Sequence, residues 1–192
     1  MNSDSISELF LPNDFNFSHA CRIGNLPKAQ WILSMQPDID ISADNEEAFR
    51  SACRKGHLDV AQWLLSMKPG IDVSTNNEET FRTACENGHL DVAQWLLSIK
   101  PDINISAKDE SAFRFACWGG HLPVVQWLLS VKPDLNLSTN DEWAFRYACI
   151  NGHLPVAQWL LSIQPDIDIS ANKDRKSTRL NSSHLVISYA VF

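Results

Sequence analysis

The chain repeats itself every 32 residues. Cys21, Cys53, Cys85, Cys117 and Cys149 share one phase, Trp31, Trp63, Trp95, Trp127 and Trp159 a second, and Gly24, Gly56, Gly88, Gly120 and Gly152 a third. A fixed period of this size marks stacked supersecondary units that bury their apolar faces on one another. It constrains the fold more than the length of 192 residues does, because a stack grows one unit at a time. The phase divides the chain into repeats 13–44, 45–76, 77–108, 109–140 and 141–172. Residues 1–12 precede them, with Leu9 and Phe10 as a partial cap, and residues 173–192 follow.

Each repeat carries two helix signals. Asn13, Asn45, Asn77, Asp109 and Asp141 occupy one phase and are expected as N-caps. The acid that follows (Asp14, Glu46, Glu78, Glu110 or Glu142) suits the positive end of the helix dipole. In the second repeat Ala48, Phe49, Ala52 and Cys53 then mark one helical face, ended by Gly56 as a left-handed cap. A second helix follows at once. Its first turn holds Pro27, Asp59, Asp91, Pro123 or Pro155, two residue types that share a tolerance of helix N-termini. It is expected to bury Leu58, Val60, Ala61, Trp63, Leu64 and Leu65 and to stop before Pro69. Alternating segments such as Ile71-Asp72-Val73 and Ile103-Asn104-Ile105 then predict extended, half-buried connections.

Composition narrows the function. A formal net charge of −7 argues against nucleic acid or an anionic membrane as the main partner. No run approaches the ~18 apolar residues of a membrane span, and the N-terminal MNSDSISELF lacks the features of a signal peptide. Neighbouring helices stack about 8–10 Å apart, beyond the ~7 Å a disulfide allows. The five Cys therefore read as buried thiols of a soluble, intracellular chain.

The run Ala52-Cys53-Arg54-Lys55-Gly56-His57-Leu58-Asp59-Val60-Ala61-Gln62-Trp63-Leu64-Leu65 resembles the AAxxGHLEVVxLLL core of the ankyrin repeat, and Asp72-Val73 resembles its ADVN. The resemblance covers residues 13–172. It implies an all-α fold, an ankyrin-like α-solenoid of five stacked helix–turn–helix units with short extended connections. It also implies a protein–protein interaction scaffold that binds another protein through a concave inner-helix face, without catalysis, cofactor or metal. Two departures stand out. Glu47-Ala48-Phe49-Arg50 replaces the family's T-P-L-H opening, so Arg50, Arg82, Arg114 and Arg146 stand where the family has its histidine. The connections are also proportioned differently, so the hairpin fingers are expected to be stunted.

The period breaks after Asn172. Residues Asp174 to His184, DRKSTRLNSSH, match the in-frame translation of a widely used sequencing adapter, so residues 173–192 are expected to be a non-native, disordered tail. The fifth repeat looks internal rather than capping. This leaves an alternative in which the chain is the targeting segment of a longer protein whose effector domain lies beyond this C-terminus.

The chemistry-bearing pairs recur too regularly to form an active site. Cys53/His57, Cys85/His89, Cys117/His121 and Cys149/His153 lie four residues apart. Zinc needs about four converging ligands, and Gly56 interrupts the helix between one such pair. A thiol nucleophile needs one distinctive activated site rather than four alike. The Arg ladder is read as binding loop carbonyls or pairing with Asp40, Asp72, Asn104 and Asn136, and the Trp ladder as core.

The variable phases are where recognition is expected. Arg54, Glu86, Trp118 and Ile150 follow the Cys, and Lys55, Asn87, Gly119 and Asn151 come next. Trp143 replaces Glu47, and Phe115 and Tyr147 replace Ser51. The partner-binding residues are thus taken as Arg54, Lys55, Glu86, Asn87, Trp118, Trp143, Ile150 and Asn151, on a monomeric chain. Aromatic side chains beside charges are the usual anchors of a protein interface.

Overall fold

The computed structural model describes residues 16–167. The adapter-like tail, the capping Leu9 and Phe10, and the expected cap Asn13 with its following acid Asp14 lie outside the described residues. Within them the chain is helical: α1 (Phe17–Arg22), α2 (Leu26–Met35), α3 (Ala43–Arg54), α4 (Leu58–Met67), α5 (Thr75–Glu86), α6 (Leu90–Ile99), α7 (Ala107–Trp118), α8 (Leu122–Val131), α9 (Thr139–Ile150) and α10 (Leu154–Ile163). No strand occurs among the described residues.

The described residues divide into two compact parts, one ending at Asp72 and the other beginning at Val73. In the first, α1 packs on α2 and α3, and α3 on α4. In the second, α7 lies between α5 and α9, forming an inner row, and each inner helix packs on the outer helix that follows it. The outer helices α8 and α10 also meet.

The inner helices meet through small residues and one large one. Ala52, Cys53, Ala84, Cys85, Ala116 and Cys117 are fully buried, as are Phe49 and Phe81. Small side chains let backbones approach, and each buried Phe contributes on the order of 1.5–3 kcal/mol. The outer helices α4, α6, α8 and α10 bury the stripe Val60-Ala61-Leu64 or its equivalent, and α2 buries Ala29 and Ile32. Trp63 and its equivalents are only half-buried, as are Leu58 and Leu65. The Trp rings instead bridge repeats: Phe17 meets Trp63 with centroids 6.1 Å apart, and Phe81 meets Trp127 at 6.2 Å.

The turn between helices has the expected chemistry. Gly56 has φ 78°. Its N–H donates to the Cys53 carbonyl at 3.2 Å and that of His57 to the Ala52 carbonyl at 2.9 Å. This is the paired hydrogen bonding of a Schellman cap.

The start of the inner helix differs from the N-cap expectation. Asp44, Asn45 and Glu46 have φ of 53°, 56° and 62°, and Lys108, Asp109 and Glu110 have φ of 53°, 56° and 54°. Asn45 and Asp109 are thus not caps but members of a left-handed turn, and the right-handed helix begins one residue beyond the acid. Asn and Asp are favoured both as caps and in the left-handed region, so residue type alone does not separate the two. The turn is held by its own bonds. The Glu46 N–H donates to the Ser42 carbonyl at 3.1 Å, and the Glu46 carboxylate accepts the Asp72 N–H at 3.0 Å.

The connections alternate as predicted. Ile71, Val73, Ile103, Ile105 and Leu135 are buried, while Asp72, Asn104 and Asn136 are exposed. Asp40, Asn104 and Asn136 each accept the N–H two residues on, from Ser42, Ser106 and Ser138 at 2.9, 3.1 and 3.1 Å. These side chains therefore close their own turns. The Arg ladder is engaged within the fold, and Arg114 meets a loop carbonyl as expected. Arg50 pairs with Glu47 at 2.8 Å, Arg82 donates to Ser111 Oγ at 3.3 Å, and Arg114 donates to the Lys108 carbonyl at 3.2 Å.

Candidate protein-recognition face

On an inner helix, residues spaced i, i+4, i+7 share a face. In the second compact part this face carries Glu79, Thr83 and Glu86 on α5, Ser111, Phe115 and Trp118 on α7, and Trp143, Tyr147 and Ile150 on α9. The polar column lies at one end of the row and the aromatic columns at the other.

The aromatic columns are partly built into the fold. Trp143 stacks on Tyr147 at 4.2 Å and meets Phe115 edge-on at 5.4 Å. The Arg114 guanidinium lies 5.2 Å from the Trp143 ring centre. All three rings are half-buried, so Trp143 joins the two helices as well as facing outward. One turn further on, Trp118 is 42% exposed and Ile150 37%. They occupy one phase on directly packed helices, so their apolar surfaces adjoin.

The remaining predicted residues separate into two kinds. Asn87 Nδ2 donates to the Thr83 carbonyl at 2.8 Å, and Asn151 Nδ2 donates to the Trp118 carbonyl at 2.9 Å. Both thus satisfy helix-end carbonyls. Arg54, in the first compact part, donates to Ser51 Oγ at 2.8 Å and to Glu47 at 3.1 Å. Burial pushes the Glu47 carboxyl up, but Ser51, Arg54 and Arg50 outweigh it and hold the group below its ordinary value. Lys55 is exposed. Glu86 is half-buried at the last position of α5.

The Cys/His pairs serve the scaffold. Burial pushes the Cys21 and Cys149 thiols up to about 12 and those of Cys53, Cys85 and Cys117 higher still. A thiol so desolvated is a poor nucleophile. The imidazoles turn to the preceding repeat: His57 Nε2 lies 3.1 Å from the Arg22 carbonyl, and His121 bonds the Glu86 carbonyl. A carbonyl only accepts, so the imidazole nitrogen carries the proton. No group of three or more His, Cys, Asp or Glu is placed to hold a metal among the described residues.

Residues 81–173 match the family described as "Ankyrin repeats (3 copies)" and residues 17–65 the one described as "Ankyrin repeats (many copies)". The chain belongs to the ankyrin-repeat family. No curated protein matches it. Ankyrin repeats generally mediate protein–protein interaction and are typically non-enzymatic. Among the described residues no helix is long and apolar enough to cross a membrane.

A second apolar surface of these ankyrin repeats was not apparent from the sequence. Met35, Met67, Ile99, Val131 and Ile163, near the ends of the outer helices, are 64%, 52%, 41%, 42% and 40% exposed. In the first part Met67 lines a groove of about 440 Å³ with Leu33, Pro37, Ile39, Ile41 and Trp63. Val131 lines the corresponding groove of about 500 Å³ in the second part. Met67 continues the Val60-Leu64 stripe at helical spacing, so periodicity alone assigns it to the core. A constantly apolar phase immediately before the helix-stopping Lys-Pro or Gln-Pro was the available signal.

Proposed function

We propose that this ankyrin-repeat chain is a non-catalytic scaffold that binds a partner protein through the inner-helix face, with Trp118 and Ile150 as its central anchors. The observation that carries the reading is the exposure of Trp118 beside Ile150 on a row of helices locked by the Phe115, Trp143 and Tyr147 cluster. A large aromatic held on a rigid support loses little conformational freedom when it binds. Glu86, Asn87, Asn151 and the outward edge of Trp143 form the surroundings of that anchor. Arg54 and Lys55 present the equivalent phases in the first compact part. The formal net charge of −7 supports a protein rather than a nucleic-acid partner.

Quantitative pull-down from cell extract tests the reading. The Trp118→Ala/Ile150→Ser variant should lose the proteins that the unaltered chain captures, while its thermal unfolding stays close to that of the parent. Capture of the same proteins in the same amounts would remove this face as the binding site.

A further inference from the structure

Glu86 is placed against the interests of the fold. It is the last residue of α5, where the helix dipole is negative and a carboxylate is disfavoured. The equivalent position in the second repeat carries Arg54, which is the favoured charge there and is engaged with Glu47 and Ser51. The Glu86 carboxylate has no such engagement. Its i−4 neighbour Arg82 is drawn to Ser111 Oγ on the next inner helix at 3.3 Å, and the Glu86 carboxylate makes no ion pair or hydrogen bond among the described residues. Its backbone carbonyl is taken by His121, which fixes the end of α5 beside the following turn. The helix is therefore held in place while its terminal acid stays available.

That acid lies on the phase of Trp118 and Ile150, one helix before Trp118 in the packed row. Packed helices are about 8–10 Å apart. A chain crossing the row in extended form advances about 3.3 Å per residue, so groups on neighbouring helices are matched by side chains about three residues apart. We propose that the partner segment recognised by this face carries a lysine or arginine about three residues from an aromatic or aliphatic anchor, the cation meeting Glu86 and the anchor meeting Trp118 and Ile150. The proposal rests on the inner-helix face being the binding face. It adds the chemistry of the occupant, through the complementarity of one unpaired carboxylate and one apolar patch.

Selection from a random peptide library displayed on phage, using the full chain as bait, tests both levels. Selected peptides should be enriched in Lys or Arg at that spacing from the anchor. A synthetic peptide of the consensus should bind Glu86→Gln about fivefold more weakly at low salt, with the difference shrinking at high salt. Glu86→Lys should instead select peptides with Asp or Glu at the matching position. Glu86→Gln should unfold at the same temperature as the parent or higher, so its weaker binding is not a folding defect. Peptides without the basic residue, or equal binding to Glu86→Gln, would overturn this inference. If Trp118→Ala still abolished their binding, the face itself would stand. Peptides whose binding ignores Trp118→Ala, or a library that yields no binders, would overturn the face and the inference together.

Discussion

The imidazole of His121 lies against the backbone of Gly88, in the space that a β-carbon on Gly88 would occupy. The same relation joins His57 to Gly24 and His153 to Gly120. Glycine at this phase thus has two duties. It adopts the left-handed cap, φ 81° at Gly88, and it leaves room for the imidazole that crosses from the next repeat. Gly152 has φ 77° but nothing within 4 Å of its would-be β-carbon, and Gly70 has open space.

These differences rank three substitutions. Gly152→Ala should cost only the left-handed penalty, about 1–2 kcal/mol. Gly88→Ala should cost clearly more, because the His121 ring must also move. Gly70→Ala should leave stability unchanged or raise it by up to about 1 kcal/mol, by restricting the unfolded chain. Urea unfolding of the three variants checks the order, and equal losses for Gly88 and Gly152 would show that the ring contact has no energetic role.

Burial lowers the basicity of His121. The Glu86 carbonyl acts in the opposite sense, while the neighbouring His153 and His89 lower it further. The unfolded chain therefore binds this proton more readily than the folded one. The His121 contribution is fully present above the unfolded value near 6.5 and is lost as pH falls through the lower folded value. Denaturant midpoints measured from pH 7.5 down to about 5 should decline, and His121→Gln should flatten that slope. Glu47 and Asp40, whose folded values lie below their ordinary ones, act in a more acidic window. Their stabilisation is present above the ordinary carboxylate range and lost as pH falls through their folded values.

Lys108 is the long side chain of a left-handed turn, with φ 53° and an exposed surface. Its backbone carbonyl, which accepts from Arg114, is retained in any variant. Lys108→Gly should therefore stabilise the chain, by up to about 1 kcal/mol. Lys108→Val should destabilise it, since a β-branched residue tolerates the left-handed region least. A shift in thermal midpoint of the wrong sign for either variant would contradict this backbone geometry.

Trp118 and Trp143 should respond differently to truncation. Trp118→Ala removes a ring that is 42% exposed and should change stability by less than about 0.5 kcal/mol. Trp143→Ala removes the stack on Tyr147 and the edge contact to Phe115 and should cost about 1–3 kcal/mol. Equal losses in urea unfolding would mean that the two rings are not the surface anchor and the packing element described above.

The five Cys are all buried as free thiols. The native chain should react slowly with a thiol-titrating reagent near pH 8, and all five thiols should react rapidly once denaturant is added. Fast labelling of the native form would place at least one thiol outside the core.

Much of this was readable from residue order, because a repeat protein is built from local and nearest-neighbour terms. The Gly56 cap, the Pro27 and Asp59 helix starts and the alternation around Asp72 depend on a few adjacent residues, and the structure has each of them. Asn45 is not the cap its residue type suggests, because its side chain suits two backbone conformations and only the surrounding bonds select one.

What the sequence determined by itself is the periodic scaffold: the helical pairs, their turns and the invariant small core of Ala52 and Cys53. These follow from propensities and spacings that repeat. The tertiary structure alone decided which apolar phases remain uncovered. Trp63 and Met67 lie at helical spacing from the buried Val60, yet Trp63 is half-buried and Met67 exposed. It also decided that Trp143 is tied to Tyr147 and Phe115 while Trp118 is largely exposed, and that the Glu86 carboxylate has no partner among the described residues. Burial and pairing are properties of neighbours in space, and residue order specifies them only after those neighbours have been placed.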